Sequence, residues 1–105
     1  MNFTYIIRCK DDSLYTGYTT NIRRRMKEHE TGINCKYTKV RGFKKLEIYF
    51  TSNSKSKAMK LESYIKKLSR TKKIWAIQNG EIFINELENK DDYRVGNMED
   101  VYGII

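Results

Sequence analysis

The stretch "FTYIIRCKDDSLYTGYTTNIRRRMKEHETG" (residues 3–32) decides the fold of this chain. Its first part, "FTYIIRC" (3–9), is rich in aromatic and β-branched residues; "KDDS" (10–13) supplies turn chemistry, and "LYTGYT" (14–19) resumes strand character. A β-hairpin is the reading. The period then changes to that of a helix. Thr20 or Asn21 is placed to cap it, it runs to about Glu30, and Gly32 is placed to end it with a left-handed residue.

Beyond this stretch, "GINCKYTKVRGFKK" (32–45) reads as a basic loop with aromatics interleaved. "LEIYFT" (46–51) alternates Leu46, Ile48 and Phe50 on one face with Glu47 and Tyr49 on the other, which predicts a half-buried third strand. A helix follows from about Lys55 to Leu68, capped by Ser54 or Ser56, then a shorter one from Thr71 to Ile77 that ends at "NG" (79–80). "EIFINEL" (81–87) has the make-up of an edge strand, and "ENKDDYRVGNMEDVYGII" (88–105) scatters apolar residues among acids. The order implies an α+β domain, a small antiparallel or mixed sheet with helices against it, over residues 1–79, and an acidic C-terminal extension over 80–105.

Charge is divided along the chain in the same way. Residues 1–73 hold 19 Lys/Arg against 6 Asp/Glu, a charge of +13, whereas residues 74–105 hold 2 against 7, a charge of −5, for the net +8. A polyanion is the natural partner of so basic a body, because neutralising phosphates releases counterions. Cys9 and Cys35 make neither a disulfide framework nor a zinc spacing. No apolar run approaches the roughly 20 residues that span a bilayer, and "MNFTYIIRCKDD" carries charges where a signal peptide keeps its apolar centre. The expectation is a soluble cytoplasmic protein without a membrane partner.

Three consecutive arginines open the first helix, and they are not equivalent. At about 100° per residue, Ile22 and Met26 define the core stripe, and Arg23, Arg24, Lys27 and Glu28 point away from it. Arg25 lies about 60° and His29 about 20° from Ile22 on one side, an i,i+4 pair at the border of the core face. A planar, permanently charged fork suits the two oxygens of a phosphate; the alternative is an arginine whose stem covers the core edge with its head in water, or one that pairs with a carboxylate. His29, the only histidine, is as a lone His on an apolar face first of all a structural group. On the later helix Ala58, Leu61, Ile65 and Leu68 form the buried stripe, and Glu62 falls at its border as the only acid among Lys57, Lys60, Lys66 and Lys67. It either pairs with Lys66 or supplies the one carboxylate with which a phosphate-binding surface holds Mg²⁺. In the hairpin, Tyr15 and Gly17 share a face by period two, a mid-strand glycine permits close approach, and a tyrosine hydroxyl such as that of Tyr5 or Tyr15 can orient or deprotonate a water.

In this order, "FTYIIRC", "KDDS", "LYTGYT", "NIRRRMKEH", "GINCKYTKVRGFKKLEIYF" and "SKAMKLESYIKKLSRTKK" resemble the GIY-YIG nuclease family, particularly its small single-domain bacterial members, over about residues 3–78. The resemblance implies a three-stranded antiparallel sheet flanked by helices and a single-metal cleavage of phosphodiester bonds using Mg²⁺ or Mn²⁺. It implies that the motif tyrosines are Tyr5 and Tyr15, the latter with Gly17, that the helix arginine and histidine are Arg25 and His29, and that the metal ligand is Glu62. Two positions depart from the family pattern: "FTY" lacks the leading glycine, and Thr16 replaces an aliphatic residue.

The reading that follows is an endonuclease-like domain acting on nucleic acid, DNA before RNA, in repair or processing. Tyr5 orients the attacking water with help from Tyr15 or His29, Arg25 stabilises the phosphate charge, and Glu62 holds the metal. Gly17, Arg23, Arg24, Lys36, Tyr37, Lys39, Arg41, Lys44 and Lys45 are the candidate nucleic-acid contacts, with Tyr37 and Phe43 placed to stack on exposed bases. Two alternatives stand beside it: a module of the same fold that binds DNA or RNA without cutting, and an interaction domain whose acidic tail covers its basic face.

Overall fold

A computed structural model describes residues 1–102 and forms the hairpin where the sequence puts it. Strands β1 (Asn2–Cys9) and β2 (Leu14–Thr19) pair antiparallel, with Tyr5 opposite Gly17 and Ile7 opposite Tyr15. In the turn Asp12 takes a left-handed φ of 67°, while Asp11 Oδ1 accepts the Ser13 N–H at 3.0 Å, a side-chain turn that Asp favours. Helix α1 (Ile22–Thr31) is capped by Asn21, whose side chain accepts the Arg24 N–H at 3.1 Å, and it ends at Gly32 with φ 72°.

The basic segment after Gly32 is not a loop throughout. Helix α2 (Lys36–Arg41) forms there, opened by Cys35 and closed at Gly42 with φ 77°. Thr38 is its one buried residue, so six residues with a single inward position left no apolar stripe to read. Strand β3 (Phe43–Ser52) follows and pairs antiparallel with β1. A register shift between Ile6 and Ile7 corrects the simple alternation of "LEIYFT". Leu46 joins Tyr49 on the Tyr5 side, whereas Ile48 and Phe50 pack with Ile6 on the other. An extra residue in one strand reverses the facing of what precedes it. The strand is consequently covered on both faces, not half-buried.

Ser54 caps helix α3 (Lys55–Lys66), and Ser69 caps α4 (Arg70–Gln78), each side-chain oxygen accepting an N–H from three residues on. "EIFINEL" then departs from the edge-strand reading. It starts with helix α5 (Gly80–Asn85), which buries Phe83 and Ile84. The sheet edge is taken instead by β4 (Arg94–Val95), paired with Thr51 and Phe50, so the sheet has four strands in the order β2-β1-β3-β4 where three were expected. Helix α6 (Glu99–Tyr102) lies against α1. Gly103, Ile104 and Ile105, the end of the acidic stretch, lie outside the described residues.

The result is a sheet between two helical layers. One face carries Tyr5, Ile7, Cys9, Leu46 and Tyr49 beneath Ile22 and Met26 of α1 and Val101 of α6. The other carries Ile6, Ile48 and Phe50 beneath Leu61 and Ile65 of α3, Ala76 of α4, Phe83 and Ile84 of α5, and Tyr93. Strand β2 is left as a free edge, with α1 on one side and α3 on the other.

Candidate active site

The site begins with Tyr5 and the glycine facing it. Tyr5 is 1% exposed, and its phenol lies across Gly17: a Cβ at position 17 would meet the Tyr5 hydroxyl at 2.5 Å and Cζ at 2.7 Å. Gly17 therefore serves Tyr5 by having no side chain, and it is itself buried.

With the ring laid over Gly17, the Tyr5 hydroxyl meets two residues of α1. Arg25 Nε donates to it at 3.3 Å, and it lies 2.8 Å from His29 Nε2. His29 Nδ1 lies 3.1 Å from Thr38 Oγ1, and that hydroxyl donates to the Cys35 carbonyl at 3.4 Å. The two ends fix the direction of every proton. A guanidinium only donates and a carbonyl only accepts, so Tyr5 gives its hydrogen to Nε2, and Nδ1–H gives its own to Thr38. His29 is thus held as the neutral Nδ1–H tautomer. Burial first, and then the nearby Arg25 charge, lower its pKa to about 4, in keeping with an uncharged ring near neutral pH. Burial also pushes the Tyr5 phenol well above its ordinary range, outweighing the Arg25 contacts that pull it down.

Arg25 is the arginine held at the body of the domain. Besides Tyr5, its Nη1 donates to Glu28 Oε1 at 3.0 Å and to the Asn34 carbonyl at 3.2 Å, and Asn34 Nδ2 donates to Glu28 Oε2 at 3.0 Å. Burial works against its charge, but the bonds to Tyr5 and Glu28 outweigh it and raise its pKa. The sequence places Arg25 and His29 side by side as an i,i+4 pair; in the fold they meet through the Tyr5 hydroxyl.

Tyr15 stands half-buried beyond His29, edge-on to it with ring centroids 5.7 Å apart. Burial raises its pKa most and Cys35 raises it further, while the Arg25 charge lowers it. Glu62 is carried by α3, which packs against β2 from the other face of the sheet. Glu62 retains 19% of its side-chain exposure and pairs loosely with Lys66 at 3.8 Å. Among the described residues no three His, Cys, Asp or Glu side chains cluster as metal ligands. One partly exposed carboxylate is nevertheless a donor set that fits a hard divalent cation, which keeps most of its waters and takes other oxygens from substrate.

The basic candidates divide into engaged and open groups. Arg41 pairs with Asp11 at 2.8 Å, Lys44 with Asp12 at 3.5 Å and Lys45 with Glu47 at 3.4 Å. Arg24, Lys36 and Lys39 are exposed, with no carboxylate partner among the described residues. Arg23 faces elsewhere, its Nε donating to the Asp100 carbonyl at 2.7 Å. Tyr37 has Arg41 4.7 Å over its ring and Tyr15 at 5.0 Å, and Phe43 stacks on His29 at 6.3 Å. These two aromatics are already covered by neighbours. Thr38, Glu28 and Asn34 are the members sequence reading missed: Thr38 lay in an apparent loop, and Glu28 looked merely outward-facing.

The profile of the GIY-YIG catalytic domain matches residues 1–75. The chain is 45% identical over 82 residues to UPF0213 protein CPE1444 of Clostridium perfringens, covering 78% of this chain and 88% of that protein. It is 38% identical over 99 residues to UPF0213 protein lwe0147 of Listeria welshimeri, covering 94% and 91%. With UPF0213 protein YazA of Bacillus subtilis it shares 40% identity over 93 residues, covering 87% and 85%. The solution NMR structure of UPF0213 protein BH0048 from Bacillus halodurans is similar at 46% identity and a TM-score of 0.49, covering 74% of this chain and 84% of that one.

Proposed function

The chain belongs to the GIY-YIG family of nuclease-type catalytic domains, and from that premise we propose that it is a divalent-metal-dependent endonuclease acting on nucleic acid, DNA before RNA. The observation that carries this reading is the cluster in which the Tyr5 hydroxyl joins Arg25 to His29, with the half-buried Tyr15 edge-on to His29.

Arg25 has Nε and Nη1 engaged with the protein, and among the described residues its Nη2 has no partner, leaving that group to bind a phosphate oxygen. Positive charge fixed there stabilises the charge that builds on the phosphorus oxygens in the transition state. Glu62 is the residue that would hold Mg²⁺ or Mn²⁺. Such an ion supplies charge for the leaving oxygen and makes a nearby water easier to deprotonate. The burial of Tyr5, whose hydroxyl already has partners in Arg25 and His29, argues against the expectation that Tyr5 meets that water. It supports Tyr15 as the hydroxyl that orients it, with Tyr5 and His29 holding Arg25 and Tyr15 in place. The water oxygen forms the new bond to phosphorus as one ester P–O bond breaks; the water's proton passes to solvent, and the leaving oxygen takes one from solvent.

The test is cleavage of duplex, single-stranded and branched DNA and of RNA by the full chain, with Mg²⁺ or Mn²⁺, beside the Glu62→Gln variant. The wild type is expected to cut, and the variant to lose cleavage while binding as before in EDTA. Binding without cleavage on every substrate would leave the non-cutting module as the correct reading.

A further inference from the structure

A second cleft, with a volume of about 560 Å³, lies on the α1 face at the far end of the sheet, between the first turn of α1, β4 and the segment that follows β4. Tyr5, Tyr15, Arg25, His29 and Glu62 do not line it. Its volume falls within the roughly 300–1,000 Å³ of small-molecule sites.

The lining combines two kinds of surface. Phe3, half-buried, packs against Tyr49 with ring centroids 5.9 Å apart and gives the cleft an apolar aromatic wall. Tyr49, 2% exposed, backs Phe3: its hydroxyl donates to the Asn97 carbonyl at 2.6 Å, and Gly96 packs so closely that a Cβ would overlap the ring. Arg23 and Arg94 supply the cationic side. The Asp100 carbonyl engages Arg23 only through Nε, which steadies the guanidinium and leaves both Nη groups without a partner among the described residues. Arg94 is exposed and, within the same residues, has no carboxylate partner. One acid, Asp100, also lines the cleft.

We propose that this cleft binds one nucleotide unit, its phosphate between the Arg23 and Arg94 guanidiniums and its base against the Phe3 ring. Two guanidiniums match the oxygens of a phosphate better than a single ammonium would, and an apolar aromatic wall is what a base contacts in return for leaving water. Asp100 disfavours a second anionic group and can accept from a sugar hydroxyl or an exocyclic amine. The unit is either a free nucleotide or one residue of a strand whose remainder crosses the domain. The proposal does not depend on cleavage and stands or falls separately from the nuclease reading.

The experiment follows backbone amide shifts of the full-length chain by NMR while a 5′-mononucleotide, inorganic phosphate, a nucleoside or a short oligothymidylate is added. Mononucleotide is expected to give saturable shifts around Arg23, Val95 and Gly96, and Arg94→Ala to weaken it by about tenfold, with phosphate and nucleoside each binding more weakly. If only the oligonucleotide saturates and Arg94→Ala weakens it likewise, the unit comes from a strand, and the cleft is still its site. Shifts confined to the Tyr15 and Arg25 side, or equal affinities for wild type and Arg94→Ala with both ligands, would overturn the proposal. Arg94 is exposed on a two-residue edge strand, so the variant leaves the core intact, and its unchanged spectrum elsewhere verifies this.

Discussion

At position 17 one methyl group is enough to disturb the whole candidate site. A Cβ there falls 2.5 Å from the Tyr5 hydroxyl, and both strands are held by the sheet, so the ring must move and with it the bonds to Arg25 and His29. Gly17→Ala is expected to lower stability by about 1–3 kcal/mol, and Tyr5→Phe to relieve part of that loss in the double variant, as a double-mutant cycle from denaturant titrations would show. Arg25 and Arg24, one residue apart, should fail differently. Arg25→Ala is expected to reduce turnover roughly a hundredfold or more, whereas Arg24→Ala should mainly weaken binding and lower the salt slope by about one unit. Equal effects on turnover would make the helix only an electrostatic patch. His29 gives a pH signature. Its folded pKa of about 4 lies below the ordinary 6.5, so between these values the unfolded chain binds more protons. Its contribution is therefore fully present above about pH 6.5 and is lost as pH falls toward 4; by linkage it is at most about 3 kcal/mol. Thermal melts across that range should show the loss, and His29→Gln should flatten it.

At the scale of elements, α5 is where the strand reading and the structure part. Seven residues with apolar positions at Ile82, Phe83, Ile84 and Leu87 fit a strand or a short helix, and pattern alone does not choose between them. The choice is made by packing: Phe83, 1% exposed, lies 5.8 Å from Phe50 and 6.2 Å from Tyr64 between ring centroids. Phe83→Ala is expected to cost about 3–5 kcal/mol by leaving a cavity between α3 and the sheet. For the same reason a boundary after Asn79 would divide one core, since Phe83, Ile84 and Tyr93 pack with Ile6 and Phe50. Truncation there is expected to lower the melting temperature sharply. If the shortened chain melts unchanged and binds nucleic acid more tightly at low salt, the acidic stretch is a competitor for the basic surface and not part of the fold.

For the molecule as a whole, the charge of +13 on residues 1–73 and −5 on the rest means that binding is governed by salt as well as by shape. Several of the basic side chains face their own carboxylates, Arg8 with Glu47 at 2.6 Å and Arg41 with Asp11 at 2.8 Å among them. The number of phosphates neutralised should therefore fall well short of 19, and the slope of log affinity against log salt measures it. Arg24, Lys36 and Lys39 are the expected contributors. No helix among the described residues is long and apolar enough to cross a membrane.

The sequence by itself determined the hairpin, α1, α3 and α4, because a turn of Asp and Ser, capping residues at 20–21 and at Ser54 or Ser56, and apolar stripes are local signals that short-range energetics obey. It also singled out Arg25 and Glu62, each at the border of a stripe. Only the tertiary structure decided what lacks such a signal: α2 with its one buried residue, the shift that turns Leu46 to the Tyr5 face, α5 in place of a strand, and β4 as the fourth. It alone decided the partners of Arg25 as well. Glu28, Asn34 and Tyr5 converge on it, and Thr38 fixes the His29 tautomer, because residues distant along the chain must satisfy buried donors and acceptors in one place.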